Sequence, residues 1–129
     1  MGSWHKVWAP AILAGACASP APSGITGDPA RAREVFVSRE AGHCVLCHHA
    51  PGVETAGNVG PALGGIGSRL STAEIRLRVA DITRVYPNSV MPTFHRTEGL
   101  VRVSKSLEGK PVLDAQQLED VVAWLETLK

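Results

Sequence analysis

The sequence predicts a small all-α domain, and three observations carry that reading. Helix-capping signals recur along the chain, apolar residues follow each of them at the spacing of one helical face, and the intervening stretches are long, rich in glycine and proline, and aperiodic. With 129 residues, 44% hydrophobic but only 5% aromatic, one domain is expected, near the small end where a polypeptide core alone is marginal.

Asp28 followed by Pro29 is an N-cap and a proline at the first helical position, and Ala32, Val35 and Phe36 then share a face, so a first helix is expected over Pro29–Arg39. Ala41-Gly42 ends it. Residues 49–68 hold six glycines and two prolines and read as loop. Ser71-Thr72-Ala73-Glu74 is a capping box that opens a second helix, with Ile75, Val79 and Ile82 inward, Arg76 in water, and an end near Thr83. From Arg84 to Pro111 no periodicity is sustained, and a loop of that length in a compact domain generally has a functional task. Asp114 and Gln117 form another capping box. Leu118, Val121, Val122, Leu125 and Leu128 then recur at helical spacing to the C-terminus, making this the clearest helix of the chain.

Before these elements, residues 1–18 read as a secretory signal peptide: His5 and Lys6, an apolar stretch from Val7 to Ala16 interrupted by Pro10, then small residues. The stretch is too short to span a bilayer as a permanent helix. Export to the periplasm is the expectation. Leu13-Ala14-Gly15-Ala16-Cys17 approximates a lipoprotein box displaced by one residue, so a soluble mature protein is expected, with a lipid-anchored form through Cys17 as the alternative. Residues 19–27 read as a flexible lead-in, and 28–129 as the folded domain.

The most informative residues are Cys44-Val45-Leu46-Cys47-His48. Two thiols three positions apart suit thioether bonds to one edge of a porphyrin, with the next imidazole turned onto the iron, so the run reads as a c-type haem attachment site. A zinc site is the first rival, but it needs four ligands, and the remaining cysteine, Cys17, falls in the leader. A thioredoxin-like dithiol is the second, but it belongs at a strand-to-helix junction, and no convincing strand precedes Cys44. An N-terminal helix, this motif, a glycine-rich loop, a middle helix, a methionine-bearing loop and a C-terminal helix is the order of a small class I cytochrome c domain wrapped around one covalent haem. Its terminal helices cross beside the haem, with Ala32 and Phe36 from the first and Trp124 or Leu125 from the last as expected contacts. A mostly apolar prosthetic group would complete the interior, so haem-free protein is expected to fold poorly.

His48 is the expected proximal ligand, with its other ring nitrogen bonded to the carbonyl of Pro61 in Gly60-Pro61-Ala62-Leu63. For the sixth position the candidates are Met91, His49, His43 and His95. Met91 leads, since it is the only methionine after the initiator and lies in the long loop, followed by Pro92, which biases its backbone towards extended. His49 adjoins the proximal ligand and cannot easily reach the opposite face; His43 and His95 stay open as rivals. Histidine–methionine ligation raises the reduction potential and closes the iron to exogenous ligands, which favours electron transfer over oxygen activation. No nucleophile–base pair or phosphate-binding loop accompanies the motif, so no catalytic residues are assigned and enzymatic action by this chain alone is uncertain.

The net charge of +1 hides an asymmetry: Arg69 to Lys110 contain eight basic residues against four acidic ones, whereas Asp114, Glu119, Asp120 and Glu126 make the last helix acidic. A basic middle could steer a redox partner. Nucleic-acid binding is not expected, given the small net charge and few aromatic platforms.

Several segments go beyond the general pattern. Gly60-Pro61-Ala62-Leu63-Gly64-Gly65-Ile66-Gly67-Ser68-Arg69-Leu70, Glu74-Ile75-Arg76-Leu77-Arg78-Val79, Ser89-Val90-Met91-Pro92, and Gly109-Lys110-Pro111-Val112-Leu113 leading into Leu118–Leu125 together closely resemble the SoxX family, monohaem subunits of the SoxAX cytochrome complex of bacterial sulfur oxidation. The resemblance spans residues 28–129. It implies one haem c held by Cys44 and Cys47, iron ligation by His48 and Met91, and a heterodimer with a haem-bearing SoxA-like subunit. It also implies electron acceptance in a reaction that joins thiosulfate to a cysteine of the SoxYZ carrier (L-cysteine S-thiosulfotransferase), the catalytic haem being on the partner, and delivery to a downstream acceptor. Thr93-Phe94-His95 departs from the small and aromatic residues the family often shows after Met-Pro. The alternatives are a freestanding periplasmic electron carrier and a gas-binding haem sensor in which Met91 is displaced.

Overall fold

The computed structural model describes residues 24–129, which contain helices and loops and no β-strand. The expected signal peptide and Cys17 lie outside the described residues. Four α-helices follow in order: α1 (Pro29–Val37), α2 (Ile66–Arg69), α3 (Thr72–Asp81) and α4 (Ala115–Thr127). Short 3-10 turns occupy Cys44–Leu46, Ile82–Arg84 and Lys105–Leu107. Among the described residues no helix is long and apolar enough to cross a membrane.

All three expected N-caps form. The Asp28 carboxylate accepts from the N–H of Ala30 at 2.9 Å, and both capping boxes are complete, Ser71 with Glu74 and Asp114 with Gln117. Each such cap is worth about 1 kcal/mol to its helix. Helix α1 is two residues shorter than expected. Ser38 turns extended, its N–H still reaching the carbonyl of Glu34, while its hydroxyl bonds Glu40 at 3.1 Å. Serine's local side-chain bonds compete with helix in this way.

Helix α4 is the centre of the fold, with α1, α3 and α2 all packed on it. Its apolar face, Leu118, Val121, Val122 and Leu125, is buried, as are Ala32, Val35 and Phe36 of α1 and Ile75 and Val79 of α3. At the α1–α4 crossing the rings of Phe36 and Trp124 meet edge to face, their centroids 5.1 Å apart. Of the four residues expected beside the haem, Phe36 and Leu125 line the cavity described below, whereas Trp124 packs on Phe36, and Ala32 is buried in the main core.

Two expectations change in three dimensions. Arg76 is not simply wet. It forms a two-pronged ion pair with Glu119 of α4, both bonds 2.7 Å, and Asp120 is likewise buried and paired with Arg31 of α1 at 2.9 Å. Two of the three acids within α4 thus face inward, and the acidic helix is less a surface field than a set of internal clamps. The end of the lead-in is also docked: the carbonyl of Thr26 accepts from Gln116 at 2.9 Å, and Gly27 lies so close to the backbone of Glu119 that no side chain would fit. Polar side chains of α4 supply this anchoring, which leaves no periodic signal in residues 24–27.

Candidate cofactor site

The 3-10 turn at Cys44–Leu46 begins after His43, whose backbone is left-handed (φ 45°), and it is closed by the N–H groups of Cys47 and His48 on the carbonyl of Cys44, at 3.1 and 2.9 Å. A chain this tightly wound presents Cys44, Cys47 and His48 to one side. The two cysteines are not joined in a disulfide. Burial pushes the Cys44 thiol up to about 11, unlike the depressed thiols of redox-active pairs. Among the described residues no three His, Cys, Asp or Glu side chains come together as a metal-ion cluster.

The glycine-rich loop returns to this turn. The N–H of Gly60 donates to the carbonyl of Cys47 at 2.9 Å, and the next carbonyl, that of Pro61, stands 2.8 Å from Nδ1 of His48. A carbonyl only accepts, so Nδ1 carries the hydrogen and Nε2 keeps its lone pair for another partner. Gly60 is the residue that lets the loop come this near, because any Cβ there would collide with the His48 ring.

Cys44, Cys47, His48, Pro61 and Met91 all line a single cavity of about 560 Å³, a size ordinary for a cofactor pocket. Its deeper walls are the apolar side chains of Phe36, Ile75, Val79, Val121 and Leu125. Met91 is half-buried, packed against the main core, and its N–H donates to the hydroxyl of Ser89 at 3.1 Å. The donor set fits a c-type haem: two thiols for thioethers, an imidazole with an oriented free lone pair, a thioether sulfur, and apolar walls for a flat macrocycle.

Of the rival histidines, His43 lines the cavity and His49 is exposed. His95 is engaged elsewhere. Its Nδ1 faces the carbonyl of Leu113 at 2.9 Å, its N–H donates to Ala80 at 3.0 Å, and the N–H of Leu113 donates to Phe94 at 2.9 Å. His95 therefore ties the methionine loop to α3 and to the lead-in of α4. Sequence reasoning left its part open, because its partners are backbone groups 15 and 18 residues away. Arg78, which lines the cavity, was also missed; nothing in its local sequence distinguishes it from a solvated arginine on α3.

Residues 29–129 match the family model described as Cytochrome c. A search of curated proteins gave no significant match. Among solved structures, a chain of the crystal structure of SoxXA from P. pantotrophus is 37% identical, with a TM-score of 0.75 over 82% of this chain and 85% of that one. Helices without strands, one apolar cavity behind a Cys-x-x-Cys-His turn and these two matches lead to one conclusion: the chain belongs to the cytochrome c family of electron-transfer proteins, which carry covalent haem c, and within it is a SoxX-type cytochrome.

Proposed function

We propose that this chain is the electron-accepting subunit of a SoxAX-type complex, holding one haem c through thioethers at Cys44 and Cys47 with His48 and Met91 as the axial ligands. The observation that carries the reading is the convergence of these four side chains on one apolar cavity, with the His48 ring oriented by Pro61. When bound, the haem supplies a one-electron couple, and a methionine ligand raises its potential. The chain's own residues fix the imidazole, keep water from the buried face and hold the methionine loop. In the overall reaction thiosulfate and a cysteine thiol of the SoxYZ carrier form a sulfur–sulfur bond, releasing a proton and two electrons. This subunit receives the electrons one at a time from a SoxA-like partner and passes them to a downstream acceptor.

The signal-peptide pattern supports action in the periplasm after export, as a soluble protein or, if Cys17 is lipidated, at a membrane surface. The test has two arms. Absorbance spectra of oxidised wild type and Met91→Ala should differ by loss of the weak red charge-transfer band of methionine ligation, and persistence of that band in the variant rules Met91 out. Co-expression with a SoxA-like cytochrome should yield a stable heterodimer. A haem-loaded chain that stays monomeric beside that partner would instead be a freestanding electron carrier.

A further inference from the structure

Arg78 stands apart among the residues around the cavity. The other polar side chains of the lining are His43, His48, Tyr86 and Ser89, and Arg78 alone among the described lining residues carries a permanent charge. It is half-buried on α3, and the bond it makes is weak, from Nη1 to the carbonyl of Glu74 in the preceding turn at 3.2 Å. The Glu74 carboxylate takes its hydrogen bonds from the N–H and hydroxyl of Ser71 in the capping box, at 2.9 and 2.8 Å, and attracts Arg78 through charge without bonding its guanidinium. The neighbouring arginines are also committed: Arg76 to Glu119, Arg96 to Asp81, and Arg69 to the carbonyl of Gly64. Arg78 thus brings a guanidinium with spare donors to an otherwise apolar wall.

A guanidinium in such a place suits a planar anion, which it grips with two parallel hydrogen bonds. Haem carries two propionate carboxylates, and a carboxylate turned towards apolar walls is costly unless it is paired. We propose that Arg78 is the counter-ion of a haem propionate, so that it both orients the macrocycle in the cavity and offsets negative charge near the iron. The assignment rests on the haem reading above. Arg78 acts on the iron through the propionate, so it is a positioning residue.

The experiment compares reduction potential against pH for three haem-loaded proteins in one His43→Gln background: the parent with Arg78 intact, Arg78→Gln and Arg78→Lys. The titratable groups facing this region are His43 and His48 from the attachment turn, Tyr86 from the loop after α3, and Glu74 on α3 itself, so all three proteins carry His43→Gln to silence the free histidine. Glutamine has nearly the helix propensity of arginine, so α3 persists in the variant. Arg78→Gln should lower the potential at neutral pH and move the proton-linked break in the curve upwards by about one pH unit or more. Arg78→Lys, which keeps the charge and loses the fork, should fall between. Superimposable curves for Arg78→Gln and its parent overturn the assignment while leaving the haem reading intact. Secreted wild type without covalent haem overturns both.

Discussion

A methyl group at Gly60 would enter the space of the His48 imidazole, 2.7 Å from Nδ1 and 2.8 Å from Nε2. Either the ring or the loop must then move, and the ring is held by a single bond to Pro61. Gly60→Ala is therefore expected to cost about 1–3 kcal/mol as an overpacked contact and to disturb the haem spectrum. Pro61→Ala, which retains the carbonyl, should be nearly silent. Haem content and absorbance of the two variants check this, and a Gly60→Ala protein with full haem and an unaltered spectrum would refute the steric account. The contrast also explains what was legible residue by residue. Cys44, Cys47 and His48 are readable because their chemistry is encoded in contiguous spacing, and Pro61 and Met91 because each sits in a short motif with a reason to be there. Arg76 and Arg78 were not, since their environments depend on Glu119 and on a cavity assembled from distant segments.

Between elements, the joint that matters most is α1 against α4, and its polar half turns on Asp120. That carboxylate accepts from the N–H of Asp28 at 2.7 Å, from two nitrogens of Arg31 at 2.9 Å, and from Gln116 at 2.8 Å. Burial pushes its protonation upwards, but the Arg31 guanidinium, the Asp28 N–H and the Gln116 amide outweigh burial and hold it below its ordinary 3.8. A carboxyl depressed by folding contributes stability that is present above the unfolded value and is lost as pH falls through the folded one. Stability should therefore be level from neutral pH down to about pH 4 and decline below it. Asp81, held low first by the Thr83 hydroxyl, and Glu74, held low by the Ser71 N–H, add to the same acid limb. Asp120→Asn should cost about 2 kcal/mol at pH 7, the range for hydrogen bonds to a buried charge, since Arg31 is half in water and its Coulombic share is screened. Denaturant melts at pH 7 and pH 3 decide it: the gap between wild type and variant should narrow in acid, and a constant gap would mean that the charge is not what matters. Helix existence and N-caps were legible here because caps are local. The end of α1 and the short α2 inside a glycine-rich stretch were not, because one depends on a serine turning to Glu40 and the other on packing against α4.

At the scale of the whole molecule, the cavity and the core share their walls. Phe36, Ile75, Val79, Val121 and Leu125 are buried core residues and also face the cofactor site. The apolar interior divides accordingly into a main cluster around α3 and α4 and a smaller one of Phe36, Ala50 and Val53 beside the attachment turn, with Leu63 and Trp124 touching both. A domain of this size buries a limited fraction of its chain surface, so a prosthetic group that contacts both clusters adds a large share of the interior and joins them. A covalent tether through Cys44 and Cys47 would make that contribution permanent. Protein made without haem, as Cys44→Ser/Cys47→Ser, should consequently keep part of its far-ultraviolet helical signal while losing near-ultraviolet signal from Trp124, binding a hydrophobic dye, and unfolding over a broad denaturant range with a reduced m-value. The capped helices supply the residual helicity, and the missing bridge between the two clusters accounts for the lost cooperativity. A sharp transition with the m-value of the haem-loaded protein would instead mean that the four helices specify this fold unaided, and that the cavity is lined by a core already sufficient in itself.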